Sequence, residues 1–304
     1  MTVDHSEGAD ASQRKVWLEV ALNGPWGRVR QPRIPVTVSE IVQQGVECVR
    51  AGAAIVSMQA YDEESGERRD DWEIYARIIE GIRARVDAIV SPSITFAATW
   101  EAGEPTVAHA GFSNIEQLAK RGLMDWVPVE PGSTNFTHWG QLTQDVPGIV
   151  RSNMEEHIRH ALGMARHFGL HPSYAIYEPG FFRLGAGLHW RCGCPAPIYR
   201  FVFTSDYSFG FPPEDFAMTA YLQLLDRFAP GAQWMIGGLG AEILPLIPRA
   251  VMEGGHVRVG LEDAPFGTTR SNLELVAAAV ERISNMGGVL ATASEIRAAL
   301  SVTD

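Results

Sequence analysis

Gly254-Gly255-His256-Val257-Arg258-Val259-Gly260-Leu261-Glu262-Asp263 is the stretch whose reading decides the fold. Val257, Val259 and Leu261 share one parity, and Arg258, Gly260 and Glu262 share the other. Side chains alternate across a strand, so this run predicts a strand with one apolar and one polar side. A buried strand seldom carries an arginine and an acid on the same inward face unless they pair or do chemistry. Two readings are open: a structural ion pair, or a catalytic site at the C-terminal end of a strand, with Asp263 just beyond it.

Moving outward, short apolar runs alternate with amphipathic ones along the whole chain, which is the βα signature. Strands are expected at Val16–Leu22, Ala53–Met58, Asp87–Ser91, Trp126–Val129, Ser173–Tyr177, Ile198–Phe203 and Gln233–Ile236, before the opening stretch. Thr37-x-x-Glu40, Ser113-x-x-Glu116, Ser271-x-x-Glu274 and Thr292-x-x-Glu295 read as capping boxes that open helices. Further helices are expected over Trp72–Ala84, Val150–Phe168, Phe181–Leu188, Glu214–Phe228 and Ala241–Met252. In the long one, Met154 is among the residues placed on the buried side, and His157, His160 and His167 on or beside the solvated side. Phe96–Ala110 reads as a loop on the active face. Eight βα units over roughly 290 residues suit an α/β chain folded as a single (β/α)8 TIM barrel, residues 15–304, behind a disordered tail, residues 1–14. A doubly wound open sheet would favour a glycine-rich fingerprint after the first strand, and Asn23-Gly24-Pro25-Trp26 is not one.

In such a barrel the C-terminal strand ends converge on one site. Here they are Asn23, Gln59, Ser91 with Ser93, Glu130, Glu178, Thr204, Gly237-Gly238, and Glu262 with Asp263. As a set they predict a polar pocket. No strand end offers a histidine for a Ser-His-Asp nucleophile or a lysine for a Schiff base. Arg258 suits a carboxylate or an oxyanion, and Asp263 suits a general base for a carbon acid. Gly237-Gly238-Leu239-Gly240 is either a phosphate-holding turn before a helix or a plain tight turn. Trp26, Tyr61, Phe96, Trp100, Phe136, Trp139, Tyr207 and Phe209 fall in or near the same loops; any that face the pocket imply a bulkier or less polar substrate.

The net charge of -11 argues against nucleic acid or an anionic membrane as partner, and no apolar run approaches the ~20 residues of a membrane span. Three cysteines, Cys48, Cys192 and Cys194, form a sparse and odd count that suits a reducing cytoplasm. Cys192-Gly193-Cys194 with His189 lacks the second pair that a zinc knuckle needs.

From about Lys15 to Leu300 the chain resembles the beta-keto acid cleavage enzymes. The pieces that carry the likeness are Asn23-Gly24, Ile34-Pro35-Val36-Thr37, Ala51–Val56, Gly132-Ser133-Thr134-Asn135-Phe136, Trp234 with Gly238-Leu239-Gly240, and above all Gly254–Asp263. The resemblance implies a barrel that assembles as a homo-oligomer, dimer or tetramer. It implies a reaction between a small β-keto acid and acetyl-CoA that yields acetoacetate and a new CoA thioester. It further implies a zinc ion held by a His-x-His at the end of the second strand and by the glutamate matching Glu262. Arg258 and Asp263 match the pair that works in deprotonation, and Ser93 or Ser91 matches a serine after the third strand. Asn23, Gln59, Glu130, Ser133, Glu178 and Gly238 complete the expected substrate contacts.

The chain departs from the family where the metal would sit. Ser57-Met58-Gln59 stands at the His-x-His position, and serine hydroxyl and glutamine amide are poor zinc ligands. Pro25-Trp26 replaces an acid after the first strand, and Tyr177-Glu178-Pro179-Gly180 replaces Phe-Asp-x-Gly after the fifth. Three readings follow. The chain is a zinc-free enzyme of this type, with Arg258, Gln59 and backbone donors taking the oxyanion role. Or it binds Mg²⁺ or Mn²⁺ on an oxygen-rich site of Glu130, Glu178 and Glu262 with Gln59 or Asn23. Or it is a non-catalytic binder of a small carboxylate or CoA compound.

Overall fold

The computed structural model describes residues 15–93, 98–101, 104–105, 109–144 and 146–301; the expected N-terminal tail lies outside them. Eight parallel strands form the core: β1 (Leu18–Ala21), β2 (Ile55–Met58), β3 (Ile89–Pro92), β4 (Trp126–Val129), β5 (His171–Ile176), β6 (Ile198–Thr204), β7 (Trp234–Leu239) and β8 (His256–Val259). Their hydrogen-bonded order is β3-β2-β1-β8-β7-β6-β5-β4, and β3 and β4 come together to make a nearly closed barrel. Every residue of β1, β2, β3 and β8 is buried, as parallel strands covered on both faces must be.

The outer helices are α1 (Val38–Arg50), α2 (Trp72–Arg83), α3 (His109–Lys120), α4 (Glu155–Phe168), α5 (Pro179–Cys192), α6 (Asp215–Phe228), α7 (Ile247–Met252), α8 (Asn272–Asn285) and α9 (Ala293–Ser301). Thr37 and Ser271 form full capping boxes with Glu40 and Glu274, and Thr292 bonds reciprocally with Glu295. The bottom of the barrel is closed by Trp17, Ile55, Ile89, Trp126, Ile198 and Met235 packed against Ile296 and Leu300 of α9.

Several sequence expectations are corrected. α3 begins at His109, so Ser113 sits inside its first turns and caps nothing. The proposed active-face loop holds strands Ala98–Glu101 and Glu104–Pro105. They join Ile149–Ser152 and Thr134–Phe136 in an antiparallel sheet. Ile149–Ser152 is therefore strand rather than the start of a helix, because two extended neighbours are available to pair with its β-branched residues. The helix starts at Glu155, Met154 is exposed, and the three histidines of α4 lie on its solvent side or edge as expected. β7 runs on through Gly237 and Gly238 to Leu239, and the chain then turns at Gly240 into a 3-10 turn, Leu244–Leu246, ahead of the short α7. No helix begins directly after Gly240, so the glycines do not run into a helix N-terminus. α5 extends to Cys192, four residues beyond Leu188.

Candidate active site

β8 delivers Arg258 to the barrel axis, where it stands in register beside Glu19 of β1. Its guanidinium is fully engaged. Nε and Nη2 donate to Asp263 Oδ2 and Oδ1, both at 2.8 Å; Nη1 donates to Glu19 Oε1 at 2.8 Å and to Ser57 Oγ at 3.3 Å. Nη2 also lies 3.2 Å from Glu262 Oε2. Burial alone would weaken its charge, but Asp263, Glu262 and Glu19 hold Arg258 well above the ordinary arginine value. Burial likewise works to raise the Glu19 carboxyl, and Arg200 and Arg258 outweigh it and hold it below the ordinary range. Burial pushes the Glu262 carboxyl up; Arg258 pulls it back, and the charge of Asp263 adds to the rise.

A second arginine reaches the same floor. Arg200 of β6 donates through Nη2 to Ser173 Oγ at 3.0 Å and reaches both Glu19 oxygens at 3.4 Å. Its stem passes over Gly237, where an added Cβ would lie 3.3 Å from Arg200 Cδ and 3.4 Å from Asp263 Oδ2. That close approach explains the glycine. Gly238 N–H donates to Asp263 Oδ2 at 3.4 Å, so this expected contact touches a carboxylate of the protein itself. Gly260 is required differently: at φ +142° its Cβ would fall 2.1 Å from the carbonyl oxygen of Ala21.

These groups line a chamber of about 90 Å3 between Gln59, Ser93, Glu130, Arg200, Arg258 and Glu262. It opens into a vestibule of about 590 Å3 lined by Trp26, Arg30, Phe136, His138, Arg151 and Tyr207, with Pro25, Trp26, Arg68, Phe136 and Arg151 shared between the two. The antiparallel sheet roofs the chamber: Arg151 lies 5.0 Å from the Phe136 ring centroid and donates to Glu130 at 2.6 and 2.7 Å. Trp26 and Phe136 thus face the cavity and Tyr207 the vestibule. Tyr61 is buried against Gly24 and Gly27, Phe209 packs in an aromatic cluster with Phe136 and Tyr207, and Trp139 is exposed. The side chains of Phe96 and Trp100 lie outside the described residues.

The expected site residues divide. Arg258, Ser93, Gln59, Glu130 and Glu262 meet at the chamber. Ser93 Oγ is 2.7 Å from Ser57 Oγ and 3.5 Å from Glu262 Oε2. Asp263 lies behind Arg258, with both oxygens bonded to it, and does not line the chamber. Asn23 is wholly buried and serves the backbone: it bonds Gln59 N, Gln59 O and Pro35 O, fixing the end of β2. Ser133 bonds the backbone of Asn153 in both directions, and Glu178 stands at the N-cap position of α5 without a side-chain capping bond and accepts from Thr134 Oγ1. Ser91 is buried on β3 and does not line the chamber. Sequence reasoning missed Glu19, Arg200 and Arg151. The signal for the first two was present, since each is a charge in the middle of an apolar strand.

The donor set does not fit zinc. Ser57 Oγ is already bonded to Ser93 and Arg258, and Glu262 Oε2 faces the Arg258 guanidinium. Gln59 Oε1 is buried without a partner, one neutral oxygen where two imidazoles would be needed. The carboxylates of the alternative oxygen site are not gathered either: Glu130 is paired with Arg151, and Glu178 does not line the chamber that Glu130 and Glu262 share. Among the described residues no three His, Cys, Asp or Glu side chains gather as a metal site. Cys48, Cys192 and Cys194 form no disulfide, and the Cys194 sulfur lies 3.3 Å from His189 Nδ1.

A family model described as beta-keto acid cleavage enzyme matches residues 15–302. The chain belongs to this family. It is 24% identical over 277 residues to the 3-keto-5-aminohexanoate cleavage enzyme of Fusobacterium nucleatum, covering 89% of this chain and 92% of that one. It is 25% identical over 296 residues to the 3-oxoadipate:acetyl-CoA acetyltransferase of Cupriavidus necator, covering 94% of each. Among solved structures, the binary complex of ObcA with oxaloacetate superposes with a TM-score of 0.65 at 16% identity, over 89% of this chain and 67% of that one. That last likeness speaks to the shared barrel. At the end of β8 this chain brings Arg258, Glu262 and Asp263 together, and β2 ends in Ser57-Met58 followed by Gln59.

Proposed function

We propose that this beta-keto acid cleavage enzyme transfers acyl groups between a small β-keto acid and acetyl-CoA, giving acetoacetate and the CoA thioester of the released acyl group. The supporting relatives are named for acetyl-CoA-dependent transfers or for cleavage of β-keto acids. The observation that carries the reading is the Arg258–Glu262 pair facing the chamber, backed by Asp263 and Glu19.

The chemistry divides among residues as follows. Two carboxylates line the chamber, Glu262 and Glu130; Glu130 is paired with Arg151, and both oxygens of Asp263, behind the wall, are held by Arg258. Glu262 therefore takes the proton from the carbon between keto and carboxylate groups, and Asp263 keeps Arg258 oriented. This departs from the role the resemblance implies for Asp263. The resulting carbanion attacks the thioester carbonyl, forming a C–C bond and releasing CoA thiolate. The thiolate attacks the original keto carbon, the old C–C bond breaks, and the departing carbanion recovers the proton as acetoacetate. Gln59 and Ser93 line the wall against which oxyanions form, with the positive charge of Arg258 in the same wall, and burial makes these interactions count for more than they would in water.

The chamber takes the reacting end of the substrate, and the vestibule, walled by Trp26, Phe136, Tyr207 and Arg30, takes its remainder and the thioester. Free thiols support a cytoplasmic setting, and exposed Trp139, Leu142, Val146 and Val150 support a homo-oligomer. The test is a panel of β-keto acids with acetyl-CoA, assayed for acetoacetate. Glu262→Gln should abolish turnover with the ligand still bound, and Asp263→Asn should reduce turnover less. Turnover by Glu262→Gln at the wild-type rate would refute the assignment.

A further inference from the structure

Resting on that reading, we propose that Arg200 binds the substrate carboxylate directly, supplying the positive charge that the missing metal ligands leave unprovided. The argument is one of unused donors. Arg258 cannot take this part while folded as it is, because Nε, Nη1 and Nη2 all bond to protein oxygens and three carboxylates lie on it. Among the described residues Arg200 hydrogen-bonds to the protein through Nη2 alone, and its share of Glu19 is the long one, 3.4 Å against 2.8 Å for Arg258. Arg200 Nε is buried with no hydrogen-bond partner. Nη1, by contrast, is neither sealed in by protein nor hydrogen-bonded among the described residues, so it is the donor that an entering carboxylate meets, beside Nη2.

The placement suits a carboxylate. Arg200 lines the chamber with Gln59, Ser93, Arg258 and Glu262 on the other parts of its wall, so a β-keto acid held by Arg200 has its reacting carbon and keto oxygen inside the same small space. A guanidinium matches a carboxylate with two parallel hydrogen bonds and stays charged whatever the burial. Ser173 and Glu19 hold its Nη2, and Gly237 gives its stem passage to the axis, so the side chain is positioned before any ligand enters.

The experiment titrates acetoacetate, the simplest β-keto acid of the proposed reaction, into the full-length protein by calorimetry, with EDTA throughout. Wild type should bind. Arg200→Gln, shown folded by circular dichroism and thermal melting, should bind roughly 10- to 100-fold more weakly. Arg200→Lys should fall between the two, since lysine keeps the charge and loses the fork. Equal binding by wild type and Arg200→Gln would overturn the inference and leave the proposed function standing. So would wild-type binding that appears only when Zn²⁺ replaces EDTA. No acetoacetate binding by wild type with either EDTA or Zn²⁺ would overturn both.

Discussion

Any pH–activity profile of this enzyme must be separated from its acid stability, and one residue far from the chamber should dominate the latter. His256 sits at the lower end of β8. Nδ1 accepts the backbone N–H of Trp17 at 3.1 Å, Nε2 pairs with Gln233 Oε1 at 2.9 Å, and the ring stacks on Trp17 at 4.1 Å between centroids. A ring that accepts at one nitrogen is neutral, and burial lowers its pKa from 6.5 to about 3. The unfolded chain therefore binds a proton below pH 6.5 that the folded chain refuses until about pH 3, so stability falls as the pH drops through that window. At about 1.4 kcal/mol per unit, moving from pH 7 to pH 5 removes about 2 kcal/mol, a large share of a typical 5–15 kcal/mol. Urea unfolding of wild type and His256→Gln at the two pH values isolates this contribution, because every other titrating group is common to both. The variant is expected to be weaker at pH 7 and to lose about 2 kcal/mol less than wild type on acidification. Equal losses within about 0.5 kcal/mol would show that the folded and unfolded pKa values of His256 coincide, and would refute the reasoning.

Arg258→Ala leaves Glu19, Glu262 and Asp263 facing one another without their shared cation; it should lower unfolding stability by about 3–5 kcal/mol and abolish ligand binding, read by urea titration and calorimetry. Gly260→Ala, whose Cβ would strike the Ala21 carbonyl, should cost at least about 2–3 kcal/mol or prevent folding, measured by thermal melting and soluble yield. Plasma mass spectrometry of the untagged protein should find zinc far below one ion per chain and unchanged in Glu262→Ala; stoichiometric zinc that Glu262→Ala abolishes would contradict the donor chemistry of Ser57 and Gln59.

Much of the barrel is legible because its signals are local. Trp126–Val129 reads as a strand at the observed bounds, and the boxes at Thr37 and Ser271 mark helix starts within one residue. The roof is not legible in the same way. Ile149–Ser152 is a strand only because Thr134–Phe136 and Ala98–Glu101 lie alongside it, and nothing in a four-residue run announces partners so far away. The site shows the same divide. Arg258, Glu262 and Asp263 can be read from one stretch, since the six residues Arg258–Asp263 hold all three. Glu19 is 239 positions from Arg258, and Arg200 is 181 from Glu19, so only closure of the barrel brings them together. Asn23 and Ser133 misled for a related reason: a polar residue at a strand end serves a neighbouring backbone as readily as a ligand.

The buried charges themselves argue for function. Two arginines and three carboxylates at the barrel axis are a poor way to stabilise a protein, because desolvating them offsets most of their mutual attraction, and apolar residues of similar volume are often as stable or more so. The barrel floor immediately below is filled with Trp17, Ile55, Ile89, Trp126 and Met235, so this chain builds an apolar layer where nothing else is required. Charge begins one layer higher, where the chamber begins. Glycine at position 237 is spent on letting the Arg200 stem through, although a side chain there would have added packing. A chain that kept only a scaffold would have no reason to hold that arginine beside an open chamber with Nη1 making no hydrogen bond among the described residues. The arrangement makes sense when an anionic substrate supplies the missing acceptor.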